Sequence, residues 1–207
     1  MTTGPAVVED ARKMEFRLIF QGRLPAASQS NTRVEDKHRI RKVLHPQLRE
    51  YWKANHYLRG HWMEQRDHKQ ARYRYDVQAD KYARCGYRFL PLVGEDGQSE
   101  DACALDILFL RRDQPGGLVK HGGDIDNRMK VLLDALRMPE ECSEVAGEIP
   151  SPDEDPFFCL LRDDRLITEL KITTDRLLTP VATDERIHDV HLIIHVRTIS
   201  FAEPLVG

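Results

Sequence analysis

Gly122-Gly123-Asp124-Ile125-Asp126-Asn127-Arg128-Met129-Lys130-Val131-Leu132-Leu133-Asp134-Ala135-Leu136 is the stretch on which the reading of this chain turns. Its later part carries Met129, Leu132, Leu133 and Leu136 at the i, i+3, i+4, i+7 spacing of a helix that faces a core. Its opening is a glycine pair, then two aspartates two residues apart and an asparagine, where a loop enters that helix. One such side chain caps a helix and stabilises it by ~1 kcal/mol. Asp126 and Lys130 also have the i,i+4 spacing of an ion pair worth roughly 0.3–0.5 kcal/mol. Two aspartates and an asparagine exceed what a cap needs, because they repel one another and compete for the same N–H groups. A hard divalent cation between the carboxylates resolves the excess, since Mg²⁺ accepts a site built from a few carboxylates, water and substrate phosphate.

Outward from this helix, Met14–Phe20 alternates like a strand. Asn31 and Thr32 offer N-caps to a helix from about Val34 that carries Ile40, Val43 and Leu44 on one side. Pro46 is expected to kink or restart it, with a second helical stretch over about Gln47 to Tyr57. Residues 60–83 are polar and aromatic, a short helix or irregular structure. Tyr87–Val93 and Ala102–Leu110 read as the two arms of a hairpin. Phe157–Leu161 and Leu166–Thr173 read as strands around a polar turn. His188–Thr198 is a final strand, central in its sheet because of Leu192-Ile193-Ile194. Glu140 to Pro156 holds seven Asp/Glu, no Lys/Arg and three prolines, which predicts an exposed acidic loop inserted at about 139–156. The expected fold is α+β, a mixed, largely antiparallel sheet flanked by helices in one domain over residues 1–207.

The length of 207 residues suits one domain, and 41% hydrophobic residues suit a folded one. No apolar run approaches the roughly 18–20 residues of a membrane helix and none resembles a signal peptide, so a cytoplasmic protein is expected. Cys85, Cys103, Cys142 and Cys159 lie far apart without a Cys-x-x-Cys pair, which predicts neither disulfides nor a cysteine zinc site. The glycine pairs are followed by no Gly-Lys-Ser/Thr, so no nucleotide cofactor is expected. The net charge of −3 conceals a split, with 19 Lys/Arg against 10 Asp/Glu in residues 1–90 and 12 against 24 in residues 91–207. The basic half is richest over about 32–85, where rings such as Tyr51, Trp52, Trp62 and Tyr73 are interleaved. Cations and rings together suit a nucleic-acid surface, and solvated helices whose rings form a core suit the same pattern. Arg39, Arg41, Lys42 and, beside the aspartates, Arg128 are the candidate nucleic-acid contacts. His38, His45, His56, His61 and His68 lack the spacing of a helical zinc site and are expected at the surface or near phosphates.

A second acidic pair, Asp163-Asp164, heads the strand from Leu166. Adjacent aspartates most simply make a β-turn. Glu169, further along, falls on the opposite face from Asp164 if the strand is regular, which makes it a lesser candidate.

Asp124-x-Asp126-Asn127-x-x-Lys130 opening a helix, Leu133-Asp134-Ala135-Leu136 within it, and Asp163-Asp164 heading a strand together resemble the RusA-like Holliday-junction resolvases. The resemblance covers about residues 122–174, with Met14–Phe20 fitting the family's opening strand more loosely. It implies a RusA-like fold and a homodimeric endonuclease of phage or prophage type that uses Mg²⁺ or Mn²⁺ to cut branched DNA. It further implies that Asp124, Asp126 and Asp164 bind metal, that Lys130 is catalytic and that Asn127 supports them; Asp163 and Glu169 are supporting candidates by their place beside Asp164 and along its strand. The basic 32–85 region and the acidic 139–156 loop depart from the family pattern. Two other readings fit the residues: a non-catalytic nucleic-acid-binding module on the same fold, and an interaction protein whose acidic loop imitates nucleic acid.

Overall fold

Residues Glu15–Arg23 form β1, in which Leu18 and Phe20 are buried while Glu15, Arg17 and Ile19 are exposed. Alternation of this kind marks a strand covered on one face only. The computed structural model of the chain describes residues 14–26, 33–55, 58, 66–67, 70–71, 74–94, 99–112, 125–180 and 189–202. Asp124, the expected caps Asn31 and Thr32, and His56, His61 and His68 lie outside the described residues. In chain order the remaining elements begin with α1 (Val34–Ala54), β2 (Arg66–Asp67), β3 (Gln70–Ala71), α2 (Arg74–Lys81) and β4 (Ala83–Arg84). They continue with β5 (Tyr87–Val93), β6 (Ser99–Arg111), α3 (Ile125–Leu136), β7 (Phe157–Leu161), β8 (Ile167–Arg176) and β9 (Asp189–Ala202). Among the described residues no helix is long and apolar enough to cross a membrane.

The larger sheet has the order β1-β9-β6-β8. β9 runs antiparallel to both β1 and β6, in the central place its apolar run predicts, and β8 runs parallel to β6. The smaller sheet is β4-β5-β7, with β5 antiparallel to β4 and parallel to β7. The two-residue β2 and β3 pair with each other. The architecture is therefore α+β with mixed, mostly antiparallel sheets.

The expected hairpin over 87–110 is not formed, because β5 and β6 belong to different sheets. Phe89 to Val93 in β5 and all of β7 are continuously buried, as in strands covered on both faces. The chain leaves β5 for the larger sheet at Gly94, whose carbonyl accepts from Asp101 N–H at 3.2 Å. It makes the same passage from β7 to β8 through residues 162–166. Two crossings in one sense leave β5 parallel to β7 and β6 parallel to β8.

α1 is a single helix that continues through Pro46, not two. The Gln47 side chain, just past the proline, caps the edge of β1: its amide nitrogen donates to the Ile19 carbonyl (2.7 Å) and its oxygen accepts from Ile19 N–H (2.9 Å). One face of α1 buries Ile40, Leu44, Leu48 and Trp52 in the main core. The basic side was expected at a nucleic-acid surface, but Lys37, His38, Arg41 and His45 are buried as well. Lys37, Arg41, His45 and Arg49 recur every four residues and so share a face of the helix. Each of them meets the acidic half of the same chain. Lys37 pairs with Asp134 at 2.7 Å, Arg41 with Glu144 at 3.0 Å, and both His45 Nε2 (3.0 Å) and Arg49 Nη1 (2.9 Å) reach the Asp153 carbonyl. Lys42 pairs with Glu148 and lies 3.4 Å from Glu154.

The acidic segment is largely exposed, as expected, but it is not an open loop. Short 3-10 turns at Cys142–Val145 and Pro152–Glu154 fold it onto α1, with Val145 and Glu154 buried. Val145 joins Tyr87, Phe89, Met138, Phe157 and Cys159 in a second core cluster. Cys142 forms a disulfide with Cys85 across 57 residues, against the expectation of no disulfide, while Cys103 and Cys159 are free and buried. Sequence spacing could not report this bond, because folding alone brings the turn after β4 beside the acidic segment.

Arg41 is 2% exposed and donates to the carbonyls of Asp134, Arg137 and Glu144 as well as to the Glu144 carboxylate. Arg41→Ala strands all of these acceptors, and is expected to lower unfolding free energy in urea by about 3–5 kcal/mol. Lys53→Ala, at an exposed pair with Glu50, should cost under about 1 kcal/mol. Equal costs would show that the buried network does not stabilise the fold.

Burial lowers the pKa of His38 and of His45 below the ordinary 6.5. The Nδ1 of His45 accepts from Phe158 N–H at 2.9 Å, so protonation there breaks a bond. The unfolded chain then takes up protons that the folded chain refuses. Their contribution to stability is complete above 6.5 and declines as pH falls from there toward the depressed folded values. Urea midpoints should drop between pH 7.5 and pH 5.5, and a flat profile would contradict this.

Candidate active site

Asp163, Asp164 and Leu166 occupy one tight turn with three different tasks. Asp163 precedes the 3-10 turn Asp164–Leu166 and caps it, its Oδ1 accepting from Arg165 N–H at 3.0 Å. The same carboxylate holds the Arg165 guanidinium through two further bonds, Nε to Oδ1 at 3.0 Å and Nη2 to Oδ2 at 2.7 Å. These bonds, the guanidinium first and the backbone N–H second, hold the Asp163 pKa far below the usual carboxylate range. Leu166 is buried in the main core. Asp164, between the cap and the anchor, is exposed. The turn expected for two adjacent aspartates is present, and it divides them into a cap and an outward carboxylate.

α3 packs against this turn. Its buried face carries Met129, Val131, Leu132, Ala135 and Leu136, and Asp126, Asn127 and Lys130 are exposed on the other. The Asp126–Lys130 ion pair that the spacing allows is not among the ion pairs of the described residues. The far end of the helix is pinned. Arg41 donates to the Asp134 and Arg137 carbonyls, Lys37 pairs with Asp134, and Met138 N–H donates to the Leu161 carbonyl at 2.8 Å. A guanidinium at the last carbonyls suits the negative end of the helix dipole. The helix is thus anchored at its C-terminus and presents Asp126 in its first turn, and Lys130 one turn on, to solvent.

Of the three carboxylates that the resemblance groups, Asp126 and Asp164 are exposed on contacting elements, and Asp124 is outside the described residues. Among the described residues no set of three His, Cys, Asp or Glu side chains is gathered closely enough to hold a metal ion. Glu169 stands apart on the open face of the larger sheet, where Arg197 reaches it at 3.3 Å across the small Ala104. On that face His195 Nε2 meets Glu15 at 2.7 Å and Lys171 meets Asp106 at 2.8 Å.

The four candidate nucleic-acid contacts separate. Arg41 is buried, and Lys42 is engaged by Glu148 and Glu154, so neither is an open cation. His38 and His45 are core residues instead of surface ones, with His45 stacked on Phe157 at 4.6 Å and His38 Nε2 3.3 Å from the Tyr87 hydroxyl. Arg39 and Arg128 converge on the segment after β1, Arg39 Nη2 donating to the Arg23 carbonyl at 2.5 Å and Arg128 Nη1 to the Leu24 carbonyl at 2.6 Å. No motif could have signalled that meeting, since 89 positions separate Arg39 from Arg128.

Comparison with protein-family models, with characterised proteins and with solved structures returned no match.

The division of labour at the turn has a direct check. Asp163→Ala removes the cap and should lower stability by about 1 kcal/mol in chemical denaturation. Asp164→Asn should change it by less than about 0.5 kcal/mol, as expected of a surface side chain. A reversal of the two would mean that Asp164, not Asp163, maintains the turn.

Proposed function

We propose that this protein is a metal-dependent, structure-selective endonuclease of the RusA type that hydrolyses phosphodiester bonds in branched DNA. One observation supports the reading above others: the helix that carries Asp126 and Asn127 in its first turn and Lys130 one turn on packs on the turn that carries Asp164, with all four side chains exposed. Segments 38 positions apart in sequence thereby come into contact. Carboxylate oxygens are the donors that Mg²⁺ and Mn²⁺ prefer, so Asp126 and Asp164, with Asp124, would hold the ion. A bound divalent ion supplies charge neutralisation at phosphorus and a water of lowered pKa.

The remaining work falls to the chain itself. Lys130, one turn into α3 on the side of Asp126, would donate to a phosphate oxygen and stabilise the charge that develops during cleavage. The amino end of α3 adds N–H donors and a partial positive charge in the same direction. Asp163 keeps Asp164 outward by capping the turn, a supporting role, and Glu169 has none in this scheme. The homodimer implied by the resemblance would supply two such sites for paired, symmetric cuts. Imitation of nucleic acid by the acidic segment is disfavoured, because Glu144, Glu148, Asp153 and Glu154 are engaged by α1.

Thermal melting and cleavage of a labelled four-way junction test the proposal together. Mg²⁺ or Mn²⁺ should raise the melting temperature, and Asp126→Asn should weaken that rise. Asp126→Asn and Asp164→Asn should each slow cutting by about a hundredfold or more, with junction binding in Ca²⁺ retained. Binding without nicks by the unmodified protein would identify a non-catalytic binding module. The absence of both a metal-dependent melt and cleavage of any branched DNA would overturn the proposal.

A further inference from the structure

β1 ends at Arg23, and the chain continues through Leu24 to Ala26. Three arginines from elsewhere close on the carbonyls of this short segment. Arg39 Nη2 donates to Arg23 at 2.5 Å, Arg128 Nη1 to Leu24 at 2.6 Å, and Arg33 Nε to Ala26 at 3.2 Å. Arg23 itself is exposed. Arg33 and Arg39 both reach the Asp36 carboxylate, at 3.7 and 3.3 Å, and the carbonyls held by Arg39 and Arg128 belong to successive residues, so the three guanidinium groups are neighbours along one short stretch of chain. We infer that Arg23, Arg33, Arg39 and Arg128 form a docking site for the phosphodiester backbone of DNA, beside the first turn of α3.

Holding the segment in place does not by itself account for the arrangement. A carbonyl at the surface is satisfied by water, so three mutually repelling cations are not needed to pair three carbonyls. Charge elsewhere on α1 is matched pairwise: Lys37 to Asp134, Arg41 to Glu144, Lys42 to Glu148 and Lys53 to Glu50. Here Arg33 and Arg39 share the one carboxylate of Asp36, at 3.7 and 3.3 Å. A guanidinium carries five N–H donors in a planar fork, so for Arg33 and Arg39 the bond to a carbonyl fixes the plane and leaves further donors for an anion. Arg39 is held in addition over the Phe20 ring, 5.8 Å from its centroid, and its side chain remains 42% exposed. Planar donors held along one stretch of chain suit a phosphodiester backbone better than a single small anion.

The position gives the site its purpose. Arg128 lies two residues after Asp126 in the first turn of α3, so the patch continues into the edge that carries Asp126 and Lys130. A strand held by these arginines would run past that edge. The placement of the strand rests on the proposed function, whereas the binding itself does not.

Fluorescence anisotropy with a labelled four-way junction in Ca²⁺, over a series of salt concentrations, tests the inference. The double variant Arg23→Ala/Arg33→Ala should weaken binding about tenfold and flatten the slope of log K against log salt by roughly two. Lys53→Ala/Arg88→Ala, at cations paired with Glu50, Asp80 and Asp155 elsewhere on the surface, should leave both quantities unchanged. Unaltered melting curves establish that the variants are folded. Wild-type affinity and slope in the Arg23/Arg33 variant, equal losses in both variants, or no DNA binding by the parent protein would each overturn the inference. Arginine-dependent binding without cleavage keeps the site and removes the nuclease. Cleavage with binding indifferent to Arg23 and Arg33 does the reverse.

Discussion

A guanidinium buried at the centre of the molecule sets the geometry of everything around it. Arg41 is 2% exposed, and its three nitrogens reach the carbonyls of Asp134, Arg137 and Glu144 and the carboxylate of Glu144. A charge withdrawn from water to this extent is tolerable only when its donors are paired, which fixes α1, the end of α3 and the acidic segment relative to one another. Glu144 extends the network to Arg137 at 3.2 Å, and the Cys85–Cys142 bond ties the same segment to the smaller sheet. The stripe Lys37, Arg41, His45, Arg49 continues that contact along α1. Part of the charge imbalance between the halves of the chain is therefore satisfied within the fold, where cations of α1 meet carboxylates of the acidic segment.

This arrangement accounts for how a short helix can present an exposed polar end. α3 is held at its carboxyl end by Arg41 and Lys37 and along its apolar face by the core, which leaves the opening turn to project. The capped turn at Asp163 makes a comparable division, with Leu166 inside and Asp164 outside. Neither device needs the two segments to be near in sequence. Both depend on the chain crossing from the smaller sheet to the larger immediately after β7, which carries the Asp164 turn to α3.

Some of this was legible in the residues. The Met129, Leu132, Leu133, Leu136 stripe marks α3, and Leu192-Ile193-Ile194 marks the central strand β9, because side-chain period and burial are local properties. β5 and β6 were recognisable as strands but not as members of different sheets. Pairing depends on which faces the rest of the chain covers, and a run buried on both faces resembles a hairpin arm in a linear reading. Arg41 and Lys42 were misjudged for a related reason. Basic residues on a helix look alike in a sequence whether the matching carboxylates are in a partner or a hundred residues downstream, as Glu144 and Glu148 are.

What the sequence by itself determined is the identity of most elements, the α+β class and the exposed acidic residues at the head of α3 and before β8, since period, turn chemistry and capping act over a few residues. Tertiary structure alone decided which strands pair, that the basic stripe of α1 faces inward, that Cys85 meets Cys142, and that Arg33, Arg39 and Arg128 meet at the carbonyls of residues 23–26. Those outcomes follow from long-range burial and charge pairing, in which the free energy of a side chain depends on neighbours that only the folded chain supplies.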